Sequence, residues 1–186
     1  MDIEQCQATM AQYDSDMQYV EQMSNDIVKS RTNDLDGLMS DINRDIIQVQ
    51  DPDIKVLERY FLELTNALYF INPYCESLGF YEDLSKSGLK MKYNKAYSDN
   101  QISNTAKGVK TTVADNQLAA ENASMTENIV SLIYSRSFRI IKVKLDAANE
   151  MVRTLSKIIS SRMSERQLSS YNAPTGEDED FGQLIN

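Results

Sequence analysis

The segment from Glu127 to about Gln167 contains no glycine and no proline. Its apolar residues recur at helical spacing, and they form the row Val130, Ile133, Ile141, Leu145, Ala148, Val152, Leu155, Ile159 and Met163. An uninterrupted apolar row along one face is typical of a long amphipathic helix. The segment therefore predicts one long C-terminal helix, which needs a partner surface to bury that face.

Helix-breaking residues are also scarce in the rest of the chain. The 186 residues include 6 Gly and 3 Pro, which are too few to supply the turns of a β-rich fold. A chain of this length supports one folding unit with appendages. We therefore predict an all-α fold: an elongated helical bundle with an N-terminal coiled-coil-like helix and one long C-terminal helix.

The first helix is predicted from a strict alternation of three- and four-residue steps. This seam consists of Ile3, Cys6, Met10, Tyr13, Met17, Val20, Ser24 and Ile27. A heptad seam of this kind is typical of a coiled coil, and only Ser24 interrupts its apolar character. Beyond Asn33 and Asp34, a second amphipathic helix is predicted from the row Leu35, Leu38, Ile42, Ile46 and Val49.

A third helix is predicted to start at Asp51 and Pro52, because aspartate is a favoured N-cap and proline suits the first helical turn. Pro73 is predicted to end it. Five aromatic residues cluster near this end and are interpreted as core packing at a corner between helices: Tyr69, Phe70, Tyr74, Phe80 and Tyr81. A short basic helix followed by a loop is predicted for residues 85–104, and another helix for about 105–122.

Charge divides the chain into three regions. Residues 1–84 hold 5 Lys+Arg against 17 Asp+Glu, residues 85–166 hold 14 against 7, and residues 167–186 hold 0 against 4. We therefore predict an acidic helical region (1–84), a basic helical region (85–167) and a disordered acidic tail (168–186). Because salt screens charges beyond about 8–10 Å, the basic region can contact phosphates despite the net charge of -9.

Neither targeting nor membrane insertion is indicated by the sequence. The N-terminus is acidic and polar, and no window approaches the roughly 20 apolar residues that span a bilayer. Cys6 and Cys75 are far apart and form no paired motif, which predicts buried free thiols in a reducing compartment. We expect a cytoplasmic protein with no membrane contact.

Enzymatic chemistry has little support in this composition. The chain has no histidine, which excludes Ser-His-Asp, Cys-His and HExxH arrangements. Glycine-rich phosphate loops and calcium-loop spacing are missing, and Asp51 and Asp53 are interpreted as caps. We therefore predict a non-enzymatic protein that has no catalytic residues, no cofactor and no metal site.

The segment Leu89–Ser98 combines basic and aromatic residues, since it contains Lys90, Lys92, Lys95, Tyr93 and Tyr97. Lysines neutralise phosphates, and tyrosine rings stack on unpaired bases of any sequence, so this mixture is typical of a single-strand binder. A solvated basic helix with buried tyrosines is the alternative. In the C-terminal helix, four further basic residues are predicted to share one solvent-facing side: Arg139, Lys142, Arg153 and Lys157. A plain solvated face is again the alternative, since Asp146 and Glu150 dilute the charge.

The basic segment also resembles the Leu-Lys-Ala-Arg-Leu-Asp-Tyr-Tyr-Ser-Gly signature of the UvsY-like phage recombination mediators, through Leu89-Lys90, Lys92, Asn94 and Tyr97-Ser98. Residues 110–115 and the Leu145-Asp146-Ala147 stretch are similar to the C-terminal part of that family, so the resemblance covers about residues 85–165. Lysine stands for the arginine, asparagine for the aspartate, and the Tyr-Ser pair needs one inserted residue and lacks the following glycine.

The resemblance implies a small, all-α, ring-forming homo-oligomer that binds single-stranded DNA. It implies a mediator that loads a RecA-like recombinase onto strands coated by single-strand binding protein, in the cytoplasm of a host cell. Lys90 and Lys92 take the place of the family's phosphate-binding pair. Lys95, Tyr93 and Tyr97 are added on chemical grounds alone.

Two other interpretations remain open at the level of sequence. A helical adaptor or phage structural protein would dock a partner helix on the seam of residues 3–27. A regulator or DNA mimic would occupy a basic groove of another protein through its acidic N-terminal region. The acidic tail is either a solubility tail or a segment that competes with DNA for the basic region or recruits the recombinase.

Overall fold

The structure is a computed structural model that describes the backbone of residues 3–49 and 52–171 and the side chains of residues 14–49 and 52–168. Within these ranges the chain forms α1 (Ile3–Ile42), a π-helical stretch (Asn43–Ile47), α2 (Ile54–Ala106), α3 (Val113–Ala123) and α4 (Met125–Tyr171). The predicted all-α class and elongated helical bundle are confirmed. No helix in the described part of the chain has the length and apolar character to cross a membrane.

Three long helices form the bundle, and their direction follows from the contacts between them. Glu21 of α1 meets Arg136 of α4, and Asp36, further along α1, meets Lys144, so α1 and α4 run parallel. On α2, Glu82 meets Ser135 and Lys92 meets Glu127, so α2 runs antiparallel to α4. The short α3 packs against the C-terminal end of α2, where Asn100 and Asn116 share a hydrogen bond of 2.8 Å.

Apolar side chains from α1, α2 and α4 form one continuous core. Its largest fully buried aliphatic members are Leu35, Ile42, Leu57, Leu64, Ile141 and Leu155. Along α2 the buried positions follow mixed three- and four-residue steps through Leu57, Tyr60, Leu64, Leu68, Ile71, Cys75 and Leu78. Such a row keeps one face of a long helix turned towards its partners. Cys75 is a buried free thiol, as predicted, whereas Cys6 lies outside the described side chains.

The prediction of two helices before residue 50 was wrong, because α1 continues through Asn33 and Asp34 to Ile42. Its buried positions advance in four-residue steps through Val20, Ser24, Val28 and Thr32, so the buried row passes through Val28 and leaves Ile27 only half-buried. Ile3, Cys6, Met10 and Tyr13 of the predicted seam lie outside the described side chains.

Ser24 is the polar position of that seam, and it lies fully buried where α1 crosses α4. Its hydroxyl donates to the Val20 carbonyl at 2.6 Å and lies 3.4 Å from the Ile133 carbonyl oxygen of α4. Ser137 of α4 is also fully buried and bonded to its own helix. These small, internally satisfied residues let the two helices approach closely.

Both predicted ends of the third helix were wrong. Asp53, rather than Asp51, caps α2, since its carboxylate accepts a hydrogen bond from the Lys55 amide at 3.3 Å. Pro73 lies inside α2, which continues for another 33 residues to Ala106. Proline removes one backbone donor, but Pro73 is exposed, where water can satisfy the carbonyl that loses its partner.

The aromatic cluster around Pro73 does not form a core corner, because no corner exists there. Tyr69, Phe70, Phe80 and Tyr81 are exposed on α2, and Tyr74 is half-buried beneath the Arg31 guanidinium. Tyr81 stacks on Tyr134 of α4, with 5.7 Å between ring centroids. The aromatic character of this region therefore lies mostly at the surface.

The predicted break after the basic segment lies later than expected. Residues 85–104 are all helical, and the turn between α2 and α3 lies near Gly108, whose φ of 69° suits glycine. Thr112 and Asp115 form a capping box that starts α3. The charge boundary between residues 84 and 85 therefore lies inside one continuous helix.

The long C-terminal helix is confirmed, and it follows α3 after the single residue Ser124. Five members of its predicted apolar row are buried: Ile133, Ile141, Leu145, Ala148 and Leu155. Val130 and Met163, near its ends, are exposed because fewer helices cover them. Residues 172–186, which include most of the predicted acidic tail, lie outside the described residues.

Candidate nucleic-acid interface

The basic and aromatic segment forms consecutive turns of α2, so helical geometry decides which side chains converge. At about 100° per residue, Lys90 and Tyr93 lie on neighbouring positions, whereas Lys90 and Lys92 lie roughly 160° apart. The two lysines of the family-like motif therefore flank the packed face of α2 on opposite sides. The structure does not bring them together.

Lys90 and Tyr93 line a groove of about 740 Å³, here called the junction groove, between α1, α2 and the α3–α4 junction. The floor is mostly apolar, with Leu89, Leu118, Met125, Ile129 and Leu132. Asp16 and Glu121 also line it, so its charge is mixed rather than purely basic. Lys90 itself is exposed and makes no ion pair within the described residues.

Lys92 has a carboxylate neighbour on α4, because its Nζ lies 3.7 Å from Oε1 of Glu127. This pair is about half exposed, so it contributes little to stability. The ammonium of Lys92 can therefore leave Glu127 and contact a phosphate instead. Lys95 lies on the outer face of α2, about 140° around the helix from Lys90, and is exposed.

Tyr93 and Tyr97 are both half-buried on the packed side of α2. Partial burial leaves only part of each ring available, and neither ring forms an open stacking platform of the kind that single-strand binders use. The most exposed aromatic rings of α2 lie elsewhere, at Tyr69, Phe70 and Phe80. Residue spacing alone could not separate the half-buried tyrosines from the exposed aromatic residues, because it does not show which face of α2 packs against the other helices.

The four basic residues of α4 all reach solvent, on the side opposite the core: Arg139, Lys142, Arg153 and Lys157. The Lys142 ammonium lies 5.9 Å from the centroid of the Phe138 ring, and Arg153 contacts the Glu150 carboxylate at 3.0 Å. Asp146 and Glu150 share the same side of the helix, which dilutes the positive potential there.

The predicted site residues do not form one compact site. Glu127, which contacts Lys92, precedes Arg139 by 12 residues and Lys157 by 30 residues along α4. At about 1.5 Å per residue these separations are roughly 18 and 45 Å. The basic side chains are therefore spread along the length of the bundle, and a ligand that contacts all of them must be extended.

Two basic residues of α4 that the sequence did not single out are paired with acidic α1. Arg136 contacts Glu21 at 3.1 Å, and Lys144 contacts Asp36 and the Thr32 hydroxyl. These pairs join residues more than a hundred positions apart, so local spacing carries no signal for them. Two acidic side chains of α1 thereby neutralise two basic side chains of α4.

Five of the seven predicted basic site residues have no ion pair within the described part of the chain: Lys90, Lys95, Arg139, Lys142 and Lys157. The described residues also contain no group of three or more acidic or cysteine side chains placed to hold a metal ion. Comparison of the chain with protein-family models, curated proteins and solved structures gives no match. The relation to UvsY-like mediators stays a prediction.

Proposed function

We propose that this chain is a non-enzymatic, single-stranded DNA-binding recombination mediator. It promotes loading of a RecA-like recombinase onto DNA coated by single-strand binding protein, as a homo-oligomer in the host cytoplasm. One observation carries the proposal: five basic side chains of α2 and α4 remain exposed and unpaired although the chain is acidic overall.

Charge distribution supports an extended, non-specific contact with a phosphate backbone. The acidic residues of α1 that meet α4 contact Arg136 and Lys144, and they leave the other basic side chains of α4 in solvent. Each contact between one lysine and one phosphate is weak, but several contacts along one strand, repeated over several subunits, add up to useful affinity.

Fluorescence anisotropy of a labelled single-stranded oligonucleotide, measured from low to physiological salt, tests DNA binding. We expect salt-dependent binding that exceeds binding to a duplex control. Absence of binding at low salt contradicts the proposal. The mediator role is tested by ATP hydrolysis of a RecA-like recombinase on strands coated by single-strand binding protein. The coating delays the start of hydrolysis, and we expect this chain to shorten the delay.

Paired variants locate the contact. Lys90→Ala/Lys92→Ala removes the predicted phosphate-binding pair from α2, and Arg139→Ala/Lys157→Ala removes two unpaired charges from α4. The matched control is Lys29→Ala/Lys55→Ala, which makes the same change in net charge at exposed residues outside the predicted surface. For each lost phosphate contact, the slope of log affinity against log salt falls by about 0.7 on single strands. Equal slopes in all three variants contradict the site assignment.

A second candidate is a helical adaptor or phage structural protein, which the exposed apolar residues of α2 favour. The N-terminal seam supports this candidate less, because Val20 and Ser24 are buried within the chain and cannot contact a partner helix. Defined assembly with no affinity for DNA at low salt supports this candidate over the mediator.

A further inference from the structure

The face of α2 that points away from α1 and α4 carries a row of exposed apolar side chains. Six of them are between 56% and 72% exposed: Leu62, Tyr69, Phe80, Leu84, Met91 and Ile102. Pro73 and Lys95 occupy two further exposed positions in the same row. We call these eight positions the outer stripe.

Spacing in the outer stripe alternates between seven and four residues, which gives an 11-residue repeat. This period corresponds to about 3.67 residues per turn, close to that of a straight helix. The eight positions therefore stay within about 80° of one another over roughly 60 Å of helix. A face this long and this regular is suited to packing against another straight helix.

The spacing of the outer stripe is symmetric about residue 82. Leu62 and Ile102 are equally far from this centre, as are Tyr69 and Lys95, Pro73 and Met91, and Phe80 and Leu84. An antiparallel pair of α2 helices related by a two-fold axis therefore places Leu62 against Ile102 of a second copy, and Phe80 against Leu84. Such a self-complementary patch is the form that a two-fold interface takes.

Lys95 distinguishes antiparallel from parallel pairing. In the antiparallel register its ammonium faces the Tyr69 ring of the second copy, and a cation over an aromatic face is attractive. In a parallel register Lys95 faces Lys95, and the two like charges repel.

Charge along α2 favours the same direction. Residues 54–83 hold 2 Lys+Arg against 5 Asp+Glu, whereas residues 84–106 hold 4 against 1. Antiparallel pairing sets the acidic half of one helix beside the basic half of the other, and parallel pairing sets like beside like.

The apolar area of the outer stripe is also large enough for a stable interface between two copies. Its six apolar side chains, together with the neighbouring Phe70, which is 68% exposed, present roughly 900 Å² if a large apolar residue offers about 150–250 Å². A stable interface buries about 800 Å² on each partner.

We propose that two copies of this chain pair antiparallel through the outer stripe of α2. The pairing does not require DNA, and it takes Lys95 into the interface, whereas Lys90 and the exposed basic side chains of α4 stay outside it. It also places the Lys92 and Lys95 region of one copy beside residues 69–72 of the other.

Light scattering coupled to size exclusion, over a concentration series, tests the pairing. The wild-type chain is expected at twice 21.2 kDa, or at a larger even multiple. Phe80→Glu/Leu84→Glu places four carboxylates around the two-fold axis, so it is expected to raise the dissociation constant of the pair at least a hundredfold, which is about 3 kcal/mol. Val143→Glu/Met163→Glu, at exposed apolar positions of α4, is the matched control and is expected to stay paired.

Helical circular dichroism equal to wild type establishes that the variants are folded. A monomeric wild type, or an assembly whose mass the Phe80→Glu/Leu84→Glu variant leaves unchanged, overturns the proposal. A wild-type monomer that pairs only after deletion of residues 172–186 also overturns it, because the tail then occupies the stripe.

Disulfide trapping tests direction. A mixture of Leu62→Cys and Ile102→Cys chains is expected to form a 62–102 crosslink, identified by mass spectrometry, whereas neither variant alone forms a crosslink at its new cysteine. A 62–62 crosslink in the Leu62→Cys chain alone overturns the antiparallel arrangement. Because neither measurement contains DNA, failure of the pairing leaves the DNA-binding proposal standing, and the reverse also holds.

Discussion

Asp45 lies in the π-helical stretch and is held by two donors. The Arg44 guanidinium donates to its carboxylate at 2.7 Å, and the buried Tyr60 hydroxyl donates to it from α2. Hydrogen bonding from Arg44, then from Tyr60, lowers the pKa of Asp45 from 3.8 to about 2. This contact ties the end of α1 to the start of α2 across the connection between them.

A lowered carboxyl pKa makes the stability of the fold depend on pH in the acid range. The contribution of Asp45 is fully present above pH 3.8 and is lost as pH falls towards about 2. We expect the melting temperature of the wild type to fall more steeply between pH 4 and 2 than that of Asp45→Asn. Asp34→Asn, at an exposed carboxylate of α1, is the control and should follow the wild type. Parallel curves for wild type and Asp45→Asn contradict the assignment.

The exposure of the three lysines of the basic segment follows from local composition, but their arrangement on α2 does not. Local composition predicted that Lys90, Lys92 and Lys95 reach solvent, and they do. It did not predict that Lys90 and Lys92 lie on opposite flanks of a helix, nor that Glu127 faces Lys92. The first property depends on hydration of an ammonium group, whereas the others depend on where α4 packs.

At the scale of elements, α2 shows that a proline need not end a helix. Pro73 lies on the exposed side, and core contacts on both sides of it, from Leu57 to Leu78, hold the helix together. Burial of those side chains outweighs one missing backbone hydrogen bond. The exposed aromatic residues around Pro73 follow from the same continuity.

Pro73→Ala is therefore expected to raise the free energy of unfolding by about 1–3 kcal/mol, since it restores a backbone donor and a favourable helix former. Urea unfolding followed by circular dichroism measures it, in the Phe80→Glu/Leu84→Glu background so that pairing does not contribute. Asn72→Ala, at the neighbouring exposed position, should change stability by less than about 0.5 kcal/mol. A lower stability for Pro73→Ala contradicts this account.

The crossing of α1 over α4 depends on a small residue at position 24. Ser24→Leu inserts a larger side chain against the Ile133 backbone, and we expect it to cost about 1–3 kcal/mol of unfolding free energy. Ser24→Ala keeps the size and should cost less than about 1 kcal/mol, because the Val20 carbonyl also belongs to the helix ladder. Thermal melts of both variants measure the difference, and equal melting temperatures would show that the crossing tolerates bulk.

At the scale of the whole molecule, the acidic and basic regions share one core. The charge boundary lies inside α2, and α4 contacts α1 as well as α2 on both sides of that boundary, at Tyr81 and at Lys92. Leu64→Ala removes a fully buried side chain in the acidic region and is expected to cost about 2–5 kcal/mol.

Hydrogen exchange followed by mass spectrometry should show that Leu64→Ala lowers protection in residues 85–106 and in α4 as well as in α1. A shared core transmits the loss to every helix that it joins. Exposed Leu118→Ala of α3 is the control and should leave protection of the core unchanged. Loss of protection confined to residues 14–84 would show two separate folding units.

Some properties of this protein follow from the sequence by itself. The scarcity of glycine and proline and the long apolar row of α4 determine an all-α chain with a long C-terminal helix, because backbone propensity and side-chain period are local. The separation of acidic from basic residues is likewise local. It predicts that the basic side chains remain solvated, which holds for the seven predicted basic site residues, whereas Arg136, Lys144 and Arg162 of α4 are half-buried.

Tertiary packing decided the rest. Whether Pro73 ends a helix, whether Val28 or Ile27 is buried, and which lysines share a face all depend on contacts between residues far apart in the chain. The outer stripe is the clearest example. The sequence shows that its residues are apolar, but they are exposed only because α1 and α4 pack on the other side of α2. The energy of burial depends on which surface a neighbour covers, and the local sequence does not contain that information.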